Sequence, residues 1–186
     1  MYLNYSGKCV SGGSYTFAKD HMVVLGSLSK TYAMTGWRAG YALAPKAIAA
    51  SLSKLQSQSA SNATSFVQKA AVAALSSSQD CVAEFRREFI DLRDHMLSRL
   101  ATIPGVTCTK PEGAFYVYPN VSKYIGKGGT KNATELATRL LHEGHVVTVP
   151  GEAFGTAEHI RLSYPVTKQN IDEGVRRMGE FLTGLK

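Results

Sequence analysis

The sequence is poor in cysteine and follows no cysteine pattern: Cys9, Cys81 and Cys108 lie far apart, odd in number, without a Cys-x-x-Cys pair. This speaks against a disulfide framework and against a structural zinc site, and it suits a reducing compartment, so a cytoplasmic setting is expected. His21, His95, His142, His145 and His159 show no metal-ligand spacing, and no metal is expected. Nothing approaches the roughly 18 consecutive apolar residues of a membrane span, and no basic segment followed by an apolar core opens the chain, so neither membrane association nor export is expected. There is no basic block either. The formal charge of +7 is spread along the chain and broken by apolar stretches, which does not describe a nucleic-acid partner. Internal repeats are absent, and the one low-complexity tract is the turn Gly126-Lys127-Gly128-Gly129, which lacks the spacing of a phosphate loop.

What is present is an ordinary globular composition, 44% hydrophobic over 186 residues, enough for one large domain or two small ones. The stretch up to Asp20 is rich in Gly, Ser and Tyr and reads as irregular. Met22-Val23-Val24-Leu25 suits a strand buried on both faces, and Ala39 to Ala44 repeats that character, so two neighbouring core strands are expected. From Pro45 to about Ser78 the composition turns to Ala, Ser, Leu and Gln, predicting helices with a break near Ser61-Asn62. Asp80 then caps a long helix whose stripe is Val82, Phe85, Phe89, Leu92, Met96 and Leu100, stopping at Pro104-Gly105. Beyond it the pattern predicts strand (Ala114 to Tyr118), helix (Thr134 to Glu143), strands (Val146 to Val149 and Ile160 to Tyr164) and helix (Ile171 to Leu182). The fold class is α/β.

The string that carries chemistry is Gly26-Ser27-Leu28-Ser29-Lys30-Thr31-Tyr32-Ala33-Met34-Thr35-Gly36-Trp37-Arg38-Ala39-Gly40-Tyr41. An amine just past a core strand is expected to be partly desolvated, which favours its neutral form, and a neutral amine is what Schiff-base chemistry needs. Ser27 and Ser29 add hydroxyls, and Arg38 adds a permanent cation whose fork matches phosphate oxygens. Together they describe a site for a phosphorylated carbonyl compound. Taken singly, a lysine at a strand end is most often solvated, an arginine an ion-pair partner, and Trp37 and Tyr41 core packing.

In order and spacing, Ser27-x-x-Lys30 followed by Lys30-x-Tyr-x-Met-Thr-Gly-Trp-Arg38-x-Gly-Tyr resembles the cofactor-attachment segment of class I aminotransferases of the aspartate aminotransferase type. The resemblance implies a partial fold type I architecture: 1–80 as part of the large cofactor-binding domain, 81–104 as a connecting helix, and 105–186 as the small C-terminal domain. It implies pyridoxal 5'-phosphate in a Schiff base on Lys30, with Ser27 and Arg38 on its phosphate. Lys30, once released, would move a proton at the substrate Cα. The implied activity is transfer of an amino group from an amino acid to a 2-oxo acid, in a homodimer. The break Ser61-Asn62-Ala63-Thr64-Ser65 resembles the loop that reaches toward the other subunit's cofactor.

A second stretch, Val149-Pro150-Gly151-Glu152-Ala153-Phe154-Gly155 followed by His159-Ile160-Arg161-Leu162-Ser163-Tyr164, resembles the family's substrate-binding strand, implying that Arg161 clamps the substrate α-carboxylate. Without the resemblance, an Arg flanked by Ile160 and Leu162 reads as an outward-facing strand residue. The family's enzymes are longer than this chain. Their Asp-x-x-Tyr segment, which contacts the pyridine nitrogen, precedes the position of Met1, so this chain alone is expected to be severely impaired in transamination, to the point of inactivity. The same lysine and phosphate groups serve C–S lyases and related elimination enzymes, and a non-catalytic association domain is the rival from another class.

Overall fold

The computed structural model describes residues 4, 5, 7 and 9–185. The chain divides into two compact units, one up to Phe85 and one from Arg86 onward.

In the first unit, β1 (Val24–Ser27) pairs antiparallel with β2 (Gly40–Leu43), with Ser27 opposite Gly40 and Gly26 opposite Tyr41. Two helices follow, α1 (Lys46–Ser59) and α2 (Ser65–Ser76), separated at Ser61, whose φ of 60° breaks the helical path. Glycine is needed where the two strands approach: a Cβ on Gly40 would stand 2.8 Å from the Gly26 carbonyl oxygen.

The expectation of two buried core strands is not met. Leu25 is 74% and Leu43 60% exposed, and all four residues of β2 lie open. An apolar run is buried on both faces only when a layer packs on each. Here the ribbon is two strands wide, and α1 and α2 face it across an open cleft rather than packing onto it. Among the described residues of this unit, only Leu28, Met34 and Val67 are buried apolar side chains.

The second unit holds the core. The helix α3 (Asp80–Leu100) begins ahead of the division and carries Met96 and Leu100 into the cluster. Of the apolar stripe read from the sequence, Phe89, Leu92, Met96 and Leu100 face this core, whereas Val82 and Phe85 lie ahead of it, and Gly105, at φ 81°, follows the helix end. Arg93 on the same helix is buried, donating to the Asp94 carboxylate at 2.8 Å and to the Pro111 carbonyl at 3.1 Å. A three-stranded antiparallel sheet follows, with β5 (Ile160–Ser163) central between β3 (Tyr116–Val117) and β4 (Val149–Pro150). Against it pack α4 (Ala133–His142), capped by the Asn132 side chain on the Glu135 N–H, and α5 (Lys168–Gly184), capped by Thr167 on the Asn170 N–H. Leu136, Leu140, Ile171, Met178 and Leu182 are the faces these helices bury.

Candidate active site

The loop joining β1 to β2 carries Lys30 and Arg38, and Ser27 ends the strand that enters it. The loop closes on itself. The Leu28 N–H donates to the Ala39 carbonyl at 3.2 Å, extending the strand pairing, and the Thr35 hydroxyl donates to the Ser29 carbonyl at 3.1 Å. Leu28 and Met34 are its buried pegs. Two non-glycine residues adopt left-handed backbone within it, Ala33 at φ 53° and Arg38 at φ 54°, a conformation that persists only where surrounding contacts enforce it.

The Arg38 guanidinium donates to the Thr35 carbonyl at 2.9 Å, which holds the head over the loop and leaves its remaining N–H groups for an anion. The Ser27 hydroxyl oxygen accepts from the Ser29 N–H at 3.2 Å, so its own proton remains to be donated. Lys30 is exposed, contrary to the expected desolvation, because the strand it follows has no covering layer.

An open cleft of about 1450 Å³ lies between the ribbon and the helices, lined by Gly26, Trp37, Arg38, Tyr41, Asn62, Phe66 and their neighbours. Arg38 borders this cleft, whereas Ser27 and Lys30 are not among its lining residues. Trp37 and Tyr41, expected in a core, are instead 45% and 44% exposed on the cleft wall. Trp37 meets Phe66 of α2 edge to face at 6.2 Å, and residues 60–64, the break between the helices, complete the rim.

In the second unit Arg161 occupies the centre of β5, between Ile160 (0% exposed) and Leu162 (7%), and so projects from the opposite face of the strand. Its guanidinium carbon stands 4.3 Å from the Tyr116 ring centre and 4.6 Å from that of Phe154. Among the described residues no carboxylate or carbonyl pairs with that guanidinium, so its N–H donors are available to an anion. Tyr116 and Phe154 were not singled out from the sequence. The signal was there in the alternation Tyr116-Val117-Tyr118 beside Ile160-Arg161-Leu162, which puts both tyrosines on the face away from the core.

A small polar cavity of about 290 Å³ adjoins Tyr118, lined also by Thr107, Cys108, Thr109, Asn120 and His159. Burial pushes the Cys108 thiol up, which keeps it protonated and a poor nucleophile. Among the described residues no cluster of three or more His, Cys, Asp or Glu side chains could hold a metal, and no helix is long and apolar enough to cross a membrane.

The family model described as aminotransferase class I and II matches residues 7–178. The chain belongs to that family. Among relatives of this aminotransferase chain, an aspartate aminotransferase of Geobacillus stearothermophilus is 39% identical over 164 residues, covering 88% of the chain and 42% of the relative. A probable aspartate/prephenate aminotransferase of Aquifex aeolicus is 40% identical over 178 residues, covering 94% of the chain and 45% of the relative. Among solved structures, the aspartate aminotransferase from Rhizobium meliloti superposes with a TM-score of 0.93 at 34% identity, over 100% of this chain and 49% of that one. The fold is therefore that of the type I aminotransferases, and the chain spans somewhat under half the length of the relatives it matches.

Proposed function

We propose that this aminotransferase chain contributes the lysine, phosphate-holding and carboxylate-holding groups of an enzyme that transfers an amino group from an amino acid to a 2-oxo acid. The observation that carries the reading is the single closed loop 28–39, which with Ser27 at its entry supplies a primary amine, hydroxyls and a guanidinium within one short segment. That donor set fits pyridoxal 5'-phosphate: the amine suits an aldehyde, and the hydroxyl and guanidinium suit a phosphate monoester. When bound, this cofactor supplies an aldehyde and a ring that draws electrons from the substrate Cα.

In this reading Lys30 anchors the cofactor and, when released, takes and returns the proton at Cα. Ser27 and Arg38 hold the phosphate. Arg161 holds the substrate α-carboxylate through its in-plane N–H groups. A homodimer in the cytoplasm is part of the proposal, and the free Cys9, Cys81 and Cys108 suit that compartment. The exposed Leu25, Leu43, Leu55, Phe66 and Val72 support it too, since so much open apolar surface marks a face that is covered in the working enzyme.

The names of the relatives make aspartate the first donor to assay. With the protein at the length of its relatives, amino-group exchange that depends on an added 2-oxo acid is the expected result. Pyruvate release from a cysteine conjugate without any 2-oxo acid would instead identify a C–S lyase.

A further inference from the structure

We propose that Tyr118 is a positioning residue of the carboxylate site: it fixes the turn that brings Phe154 onto the Arg161 guanidinium. The proposal rests on the reading that Arg161 holds the substrate carboxylate.

Phe154 ends a four-residue 3-10 turn, Gly151–Phe154, in which Glu152, Ala153 and Phe154 are all exposed. So short and open a turn has no core of its own, and the place of the ring is set by its anchors. The Gly151 N–H donates to the His159 carbonyl at 2.7 Å, and the Thr156 N–H to the Gly151 carbonyl at 3.1 Å. The Thr134 N–H also donates to the Glu152 carboxylate at 3.3 Å, and Tyr118 adds a further anchor. Its hydroxyl donates to the Gly151 carbonyl at 3.2 Å and shares a short hydrogen bond with the Thr156 hydroxyl, spanning the two ends of the turn.

The Tyr118 ring is itself held. It stacks on His159 at 4.8 Å with planes 10° apart, and it meets Phe154 edge to face at 6.0 Å and 87°. The hydroxyl thus fixes the backbone of the turn while the ring meets the side chain at its end. On the far side, Phe154 and Tyr116 lie against the Arg161 guanidinium, fixing its plane and shedding water from it. The N–H donors, which lie in that plane, are then directed at a planar carboxylate that binds through two parallel hydrogen bonds. In this proposal the Tyr118 hydroxyl acts on that carboxylate through Phe154.

The test is a proton–nitrogen NMR spectrum of the 186-residue chain, following the Arg161 Nε–H signal, identified by its loss in Arg161→Met, without ligand and during titration with succinate. The nearby rings shift this signal. Tyr118→Phe is expected to move it toward the position it takes in Phe154→Leu, and to weaken succinate about two- to tenfold, the range for one neutral hydrogen bond. The double variant is expected to bind succinate no more weakly than Phe154→Leu alone, because both changes act on one ring. Thr156→Val, which removes the other partner of the hydroxyl, is expected to act in the same direction, and it carries the test should Tyr118→Phe fail to fold.

An unmoved Arg161 signal in Tyr118→Phe and Thr156→Val, or losses that multiply in the double variant, would overturn the proposal. Saturable succinate binding by Arg161→Met would instead remove the carboxylate reading, and the ligand-free spectra would still decide whether Tyr118 positions Phe154.

Discussion

The Tyr32 hydroxyl donates to the Gln79 side-chain oxygen at 2.7 Å, tying the loop that carries Lys30 to the residue just ahead of α3. The Gln79 amide nitrogen donates to the carbonyls of Ala74 at 3.0 Å and Ser77 at 2.8 Å, so the acceptor is fixed before Tyr32 reaches it. Removing the hydroxyl in Tyr32→Phe should cost about 0.5 to 1.5 kcal/mol of local stability. Hydrogen exchange at the amides of Leu28 and Tyr32, both bonded within the loop, is the readout. Exchange should quicken about two- to tenfold, and an unchanged rate would show that the loop does not depend on this contact.

The two glycines of the ribbon should differ in their tolerance of a methyl group. At Gly26 an added Cβ runs first into the ring of Tyr41, a side chain already partly exposed and able to turn away. At Gly40 it meets the Gly26 carbonyl oxygen at 2.8 Å, and a backbone atom in a strand pair cannot move without breaking the pairing. Gly40→Ala should therefore speed exchange across the ribbon and its loop far more than Gly26→Ala. Equal effects would mean that the strand spacing is set elsewhere.

In α5 the guanidinium groups of Arg176 and then Arg177 hold the Glu173 carboxyl down at about 2. A depressed carboxylate contributes stability that is fully present above its unfolded value, near 4.5, and is lost as pH falls through about 2. Thermal unfolding of the wild type should lose more stability across that window than Glu173→Gln does. Parallel curves for the two proteins would show that these exposed pairs contribute nothing measurable.

The second unit was legible in the sequence because its elements bury one face each. The stripe Phe89, Leu92, Met96 and Leu100, and the alternation around Arg161, are periodic signals written by a single core. The elements of the first unit were legible as well, two neighbouring strands and two helices broken near Ser61, but the exposure of its strands was not. Met22 to Leu25 has the composition of a strand covered on both sides, and sequence composition reports what a strand tolerates rather than what lies over it. The same gap misplaced Trp37 and Tyr41, whose aromatic bulk suggested a core and whose surroundings form a cleft wall. Lys30, Ser27 and Arg38 are singled out by their order along the chain. Tyr116, Tyr118 and Phe154 escaped because their importance lies in which residue each touches across the sheet, and that depends on register.

If Lys30 is the amine that captures pyridoxal phosphate, the captured aldehyde can be trapped on the protein. Incubation of the chain with pyridoxal phosphate, reduction with borohydride and mass analysis of the peptides should place the added mass on Lys30, with capture reduced in Arg38→Ala and absent at that peptide in Lys30→Ala. Label spread evenly over the exposed lysines, or undiminished in Lys30→Ala, would contradict the account.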